Sequence, residues 1–157
     1  MTNVYFPEED VTRNDLYFLC YMIERVARIL HQPNRYVVNS IDQNEWRNLI
    51  SVAGALHSEN PLDVEDDWIQ EYHLEKGTTD VTDVREDLET RVPSDLQMGK
   101  VYTRLIEDSS QPGEDYVDTM IRVFNDKICD VLDDYDTGAY YEPSYVIARA
   151  MREEGFA

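Results

Sequence analysis

Apolar residues recur every three or four positions along most of this sequence, and this spacing limits the fold more than any other feature. Leu19, Ile23 and Val26 follow it within residues 16–30, and residues 114–135 repeat it. Side chains at these intervals share one face of an α-helix, and that face is buried against other helices. The sequence therefore predicts an all-α fold.

Capping residues and helix breakers divide the chain into six or seven predicted helices. Thr12 with Asp15 begins the first helix, and Asp42, Asn60 and Ser94 begin three later ones. The predicted helices span residues 12–31, 33–41, 42–57, 60–74, 94–108, 114–135 and 143–152, with a minor helix over 85–91 as a further candidate. Residues 78–84 fit either a short strand or an irregular connector, and the lack of a second strand candidate favours the connector.

The helices are expected to form a compact bundle in a single domain over residues 1–157. A hydrophobic fraction of 42% in 157 residues is large enough for a core, and no linker rich in Gly or Ser divides the chain. Residues 1–10 are expected to form an extended arm whose aromatic residues pack back on the domain. Cys20 and Cys129 lie in apolar helical patterns, which favours buried free thiols in a reducing cytoplasm over a disulfide.

Charged residues interrupt the most apolar stretch of the chain. Glu24, Arg25 and Arg28 fall inside it, so no membrane-spanning segment is expected. Glu24 and Arg28 are four residues apart and are expected to face away from the core as an ion pair. The first residues show neither a basic leader nor an apolar run, so we expect no signal peptide and a cytoplasmic location.

The net charge of −19 is concentrated in the second part of the sequence. Residues 1–57 hold five Arg against seven acidic residues, a balance of −2, whereas residues 58–157 hold nine basic against 26 acidic residues, a balance of −17. A field of this sign repels nucleic acid and anionic lipid and attracts cations or basic proteins. We therefore expect no direct nucleic-acid or membrane binding, and a basic protein partner.

One predicted helix carries a stripe of carboxylates on its outer face, where Glu65 is also expected. The stripe consists of Asp63, Asp67, Glu71 and Glu75 at successive four-residue steps. Like charges at this spacing weaken an isolated helix by a few tenths of a kcal/mol per pair. The stripe is interpreted either as a solvated helix face or as a binding surface for cations or a basic partner.

A second acidic cluster lies at the C-terminal end of a predicted helix, where negative charge opposes the helix dipole. Its members are Asp130, Asp133, Asp134 and Asp136. The run lacks the register and the terminal glutamate of an EF-hand loop. Tyr140 and Tyr141 follow it; because adjacent residues cannot both face one core, we predict an exposed aromatic contact point there. These residues complete the predicted interaction surface.

The sequence shows no catalytic motif of a known class. It contains no P-loop, no Gly-x-Ser-x-Gly and no His-Glu-x-x-His, and its three histidines, His31, His57 and His73, are scattered. His57 at a predicted helix end is interpreted as a cap rather than a base. We predict no catalytic residue, no metal site and no cofactor, and hence a protein that is not an enzyme.

Residues 18–72 resemble a small bacterial domain family of unknown function, often encoded beside genes for ADP-ribosyltransferase-like proteins. The matching residues are Phe18, Tyr21, Ile23, Glu24, Ala27, Leu30, Val37, Val38, Leu56 and His57. The resemblance implies a bacterial accessory protein, and it supplies no catalytic residue.

Three functions fit these observations. The first is a non-enzymatic interaction or regulatory module whose acidic surface docks a basic protein. The second is a nucleic-acid mimic that inhibits a DNA-binding protein, which would need carboxylates spaced like phosphates on one face. The third is a carboxylate-based metal enzyme using the acidic clusters with His57 or His73. A homo-oligomer is compatible with each of them.

Overall fold

The structure, a computed structural model, describes residues 1–85 and 92–156, and within these ranges the chain is helical without a β-strand. The helices are α1 (Arg13–Leu30), α2 (Asn34–Ser40), α3 (Gln43–Ser51), α4 (Ala53–Leu56), α5 (Pro61–Glu71), α6 (Asp95–Ser109), α7 (Tyr116–Phe124), α8 (Ile128–Leu132) and α9 (Ser144–Arg152), with a 3-10 turn at Ala139–Tyr141. The predicted all-α class is confirmed for these residues. The minor helix predicted over 85–91 falls on residues 86–91, outside the described part.

The described residues form nine helices, where six or seven were predicted, because two of the predicted helices are interrupted. Predicted helix 42–57 breaks at Val52. The backbone oxygen of the preceding residue, Ser51, accepts a hydrogen bond from the side-chain amide of Asn3 at 2.8 Å. Predicted helix 114–135 breaks after Phe124. There the Asn125 amide donates to the Ile121 carbonyl at 2.8 Å, and the Asp126 carboxylate accepts from the Ile128 N–H at 2.8 Å. Asn125 and Asp126 bond nearby backbone groups, which competes with helical hydrogen bonding, whereas Asn3 reaches Ser51 from a distant part of the sequence.

Helix α1 lies at the centre of the fold and packs most extensively against α6. The predicted capping box is confirmed, because Thr12 and Asp15 each accept a hydrogen bond from the other's backbone N–H. Gly99 permits the close approach of the two helices, since a Cβ atom there would lie 3.2 Å from the Tyr21 backbone. Buried apolar side chains from every helix then form one continuous core cluster.

The end of α1 is held by the loop that follows α5. His31 has the left-handed conformation (φ 53°) typical of a helix C-terminus. The Gly77 N–H donates to the Leu30 carbonyl at 2.8 Å, and the Thr79 N–H donates to the His31 carbonyl at 2.8 Å. These bonds satisfy backbone oxygens that a helix end leaves unpaired, so the start of the connector predicted over residues 78–84 lies against the end of α1.

The N-terminal residues form a closed loop, in place of the predicted extended arm. The Val11 N–H donates to the Met1 carbonyl at 2.9 Å, and buried Asn3 anchors the loop to Ser51. The aromatic residues were expected to pack back on the domain, but Tyr5 and Phe6 are 53% and 52% exposed. Backbone hydrogen bonds within the loop hold it closed. Tyr5 and Phe6, at the tip of the loop, remain exposed to solvent.

Both cysteines are buried and free, as predicted. Across the described ranges, no helix combines the length and the apolar character that crossing a bilayer requires.

Candidate interaction surfaces

Three carboxylates of the predicted stripe lie on α5 and are exposed: Asp63, Asp67 and Glu71. The fourth, Glu75, is also exposed but lies beyond the end of the helix, because His73 adopts a left-handed conformation (φ 53°) and turns the chain away. Within the described part of the chain, none of the four forms an ion pair. We call Asp63, Asp67 and Glu71 the α5 stripe.

Glu65 was expected on the same outer face but faces the interior. Its residue exposure is 3%, and its Oε1 accepts a hydrogen bond from the Arg25 Nε at 2.9 Å. Burial raises the pKa of Glu65, and the neighbouring Arg25 opposes that rise. The exposed face of α5 therefore carries one carboxylate fewer than the sequence suggested, because Glu65 pairs with Arg25 in the interior.

An open cleft of about 640 Å³ runs beside the α5 stripe, between α3–α4 and α5. Its apolar lining consists of Leu49, Val52, Leu56, Val64 and Trp68, and its polar rim of Asp67, Gln70, Glu71, Tyr72 and His73. We call this cleft the α5 groove. Two stripe carboxylates thus border a groove whose floor is apolar.

One end of the α5 groove meets the N-terminal loop. Tyr72 donates a hydrogen bond from its hydroxyl to Glu45 at 3.2 Å, and Tyr5 lies close enough to Tyr72 to interact with it electrostatically. Burial is the largest cause of the raised pKa of Tyr72, followed by the Glu45 carboxylate. The exposed Tyr5 side chain therefore lies near Tyr72, at this end of the groove.

The second acidic cluster does not form one free surface. Asp130, on α8, pairs with Arg35 on α2, and Asp136 accepts a hydrogen bond from the Arg85 N–H at 3.0 Å. Asp134 is exposed and accepts from the Asp136 N–H at 3.2 Å. These three carboxylates bond groups within the chain, whereas those of the α5 stripe form no ion pair with any described residue.

Asp133, the fourth member of that cluster, has its side chain in the interior. Its Oδ1 accepts a hydrogen bond from the Tyr102 hydroxyl at 2.6 Å. Burial raises the pKa of Asp133 to about 8, with the Glu24 carboxylate as the next cause and the Tyr102 hydrogen bond acting in the opposite direction. The same surroundings raise the pKa of buried Tyr102 well above its usual value.

The prediction that Glu24 and Arg28 face away from the core is wrong. Glu24 is 1% exposed; its Oε2 accepts from the Arg28 Nε at 2.9 Å, and its Oε1 accepts from the Asn34 amide at 3.1 Å. Arg28 also donates to the Tyr135 hydroxyl at 3.1 Å. A four-residue spacing occurs in exposed and in buried ion pairs alike. The pair of Glu24 and Arg28 is buried because other helices pack around α1. We call Glu24, Arg28, Tyr102, Asp133 and Tyr135 the interior junction.

The two adjacent tyrosines divide between the interior and the surface. Tyr140 is 5% exposed and Tyr141 is 67% exposed, and their ring centroids lie 4.5 Å apart. Only Tyr141 is therefore available as the predicted aromatic contact point.

No group of three or more His, Cys, Asp or Glu side chains is arranged to hold a metal ion among the described residues. His57, interpreted as a cap, follows α4 and stacks on Phe18 with the ring centroids 5.4 Å apart. His73 lies at the rim of the α5 groove. The structure thus brings the histidines to separate places.

Three comparisons with known proteins find no match: no family model, no curated protein and no solved structure is significantly similar to this chain. The resemblance of residues 18–72 to a bacterial family stays a prediction.

Sequence reasoning missed the α5 groove, although its floor residues were recognised as apolar. The seven-residue spacing of Leu49 and Leu56 predicts that both lie on the buried face of one continuous helix over residues 42–57. The break at Val52 and the packing of α5 leave Val52 and Leu56 partly exposed beside Trp68. A cleft between two helices depends on the distance between them, and the local sequence pattern of either helix does not predict that distance.

Proposed function

We propose that this chain is a non-enzymatic binding module that holds a basic, amphipathic segment of a partner protein in the α5 groove. The observation that carries the proposal is the pairing of an apolar floor with the rim carboxylates Asp67 and Glu71, which have no ion pair in the described part of the chain.

The apolar floor favours a protein segment over a simple cation. An amphipathic helix binds a groove of this kind by burying apolar side chains at three- and four-residue intervals. Its basic face would meet Asp67 and Glu71 at the rim, and the exposed Asp63 would extend that contact by one helical turn. A nucleic-acid mimic needs only the carboxylates and gives no role to Leu56 or Trp68.

Among the described residues, no basic side chain pairs with the α5 stripe. Arg47 pairs with Asp115 and Asp118 at 3.0 and 2.7 Å, and Arg122 pairs with Glu114 at 2.7 Å. These pairs join elements of the fold to one another. The α5 stripe is left to attract a partner from outside, and such charges mainly raise the association rate and the specificity.

The proposal includes a bacterial origin and a location in the cytoplasm. Cys20 and Cys129 are free thiols in the core, and a reducing compartment keeps them so.

The test uses a fluorescent peptide that forms an amphipathic Leu/Lys helix, with a scrambled peptide of the same composition as its control. We expect fluorescence anisotropy to show binding of the helical peptide that weakens from about 0.05 M to about 0.5 M salt. Asp63→Asn/Asp67→Asn/Glu71→Gln should weaken binding roughly tenfold, about 1.4 kcal/mol. Val52→Ser/Leu56→Ser should weaken it at both salt concentrations, because it removes apolar contact.

The matched control removes three other exposed carboxylates, in Asp83→Asn/Glu142→Gln/Glu153→Gln. This variant has the same net charge as the stripe variant but leaves the α5 groove intact. Equal weakening by the two triple variants, or equal binding of the scrambled peptide, would show attraction by net charge alone and would overturn the proposal.

A further inference from the structure

Helix α6 presents two basic side chains that have no ion pair within the described ranges. Lys100 and Arg104 lie one turn apart on the exposed side of α6. In the residues the structure describes, neither forms an ion pair, whereas Arg25, Arg28 and Arg47 all do.

Both side chains line a cleft of about 190 Å³ between the start of α1 and α6. The lining residues are Arg13, Asn14, Tyr17, Lys100, Thr103 and Arg104. Three of these six are cations and none is a carboxylate. We call this the α1–α6 cleft.

The third cation is held in place by an acidic residue outside the lining. The Arg13 Nε donates to the Glu107 Oε1 at 2.6 Å, which fixes one side of the guanidinium group. The Tyr17 hydroxyl donates to the Leu96 carbonyl at 3.3 Å, so it is occupied as a donor. Lys100 and Arg104 therefore supply the positive charge of the cleft, and the remaining N–H groups of Arg13 supply further hydrogen-bond donors.

We propose that the α1–α6 cleft binds a phosphate group. A phosphate dianion matches several convergent cations better than a single carboxylate does, and Arg guanidinium groups bond phosphate oxygens in pairs. The cleft volume of about 190 Å³ accommodates the phosphate and the first atoms of a carrier. The ligand is therefore inorganic phosphate or a small phosphate monoester.

A neighbouring cleft fits this ligand less well. Lys100 and Arg104 also line a cleft of about 350 Å³ on their other side, but Glu142 belongs to that lining. A carboxylate repels a phosphate group, and Glu142 has no ion pair among the described residues, whereas the Glu107 carboxylate beside the α1–α6 cleft is paired with Arg13. The charges therefore favour the α1–α6 cleft.

The experiment is isothermal titration calorimetry of the full chain with inorganic phosphate and with ribose 5-phosphate. We expect saturable binding of at least one of them, weakened by roughly tenfold or more in Lys100→Gln/Arg104→Gln, because two of the three cations are lost. Tighter binding of ribose 5-phosphate assigns a monoester ligand, and tighter binding of inorganic phosphate assigns the free ion. Both outcomes support the site.

The matched control is Lys76→Gln/Arg152→Gln, which also removes one exposed Lys and one exposed Arg that have no ion pair among the described residues. This variant should bind within about twofold of the unmodified chain. The proposal is overturned if neither ligand binds, or if both double variants weaken binding equally. Thermal unfolding of each variant verifies that it is folded, and none of these outcomes depends on the α5 groove.

Discussion

The α5 stripe and the interior junction carry the same kind of side chain at the same kind of spacing, but in opposite environments. Asp67 lies four residues from Asp63 and is exposed without an ion pair in the described chain. Glu24 lies four residues from Arg28 and is 1% exposed, with two hydrogen-bond donors on its carboxylate. The role of a charged residue in this protein is therefore set by which helices cover it.

The difference has an energetic consequence. A buried charge depends on its partners, because losing one of them leaves the other without compensation in a place that water cannot reach well. An exposed charge keeps its hydration, and neighbouring like charges change its free energy only slightly. Substitutions in the two regions should therefore differ in both size and sign.

The largest effect is expected for Glu24→Ala. This change leaves Arg28 and the Asn34 amide without their carboxylate partner, and breaking a buried ion pair costs about 3–5 kcal/mol of unfolding free energy. Urea denaturation followed by circular dichroism measures the loss. Asp67→Ala serves as the surface control and should change stability by about 0.5 kcal/mol or less. Similar losses for the two variants would contradict the distinction between the regions.

A pH dependence of intermediate size is expected from Asp133. Burial raises its folded pKa to about 8 from an ordinary value of 3.8, so the folded chain retains a proton that the unfolded chain releases. The contribution of Asp133 to stability is complete below about pH 4 and is lost as the pH rises through about 8. Between these limits, the stability that Asp133 contributes falls as the pH rises.

Asp133→Asn isolates that contribution, because the amide does not titrate but still accepts the Tyr102 hydrogen bond. Urea denaturation from about pH 5 to about pH 9 should show the unmodified chain losing stability relative to this variant. Parallel pH profiles would mean that Asp133 is ionised in the folded state.

The smallest effect, and the one of opposite sign, is expected on the α5 stripe. Asp67→Asn relieves repulsion with Asp63 and Glu71, one turn away on either side, and should raise the free energy of unfolding by about 0.2–0.5 kcal/mol. The gain should shrink in high salt, which screens the repulsion. Glu142→Gln removes an exposed carboxylate outside a helix and should leave stability unchanged. A loss of stability in Asp67→Asn would show that this carboxylate has a stabilising partner.

Much of the fold was predictable because helix starts are encoded locally. Thr12, Asp42, Asn60 and Ser94 each cap a helix through the side chain, as the sequence predicts. The two missed breaks have a different origin. Asn3 bonds Ser51 across 48 positions of sequence. The Asn125 side chain bonds the backbone of the preceding helix, which ends there.

The exposure of Asp63, Asp67 and Glu71 was predictable in the same way, whereas the groove beside them was not. The split of Tyr140 and Tyr141 between interior and surface, and the inward positions of Asp133 and Glu65, follow from neighbours distant in sequence. Asp133 meets Tyr102 across 31 positions, and Glu65 meets Arg25 across 40.

The sequence by itself determined the helical class, the positions of the caps and the concentration of negative charge after residue 57. Each of these depends on residues a few positions apart, or on composition. Tertiary structure alone decided which carboxylates are buried, where an apolar cleft lies open, and which cations lack a partner. The physical reason is that desolvation and ion pairing depend on distances through space, which the packing of helices around α1 creates.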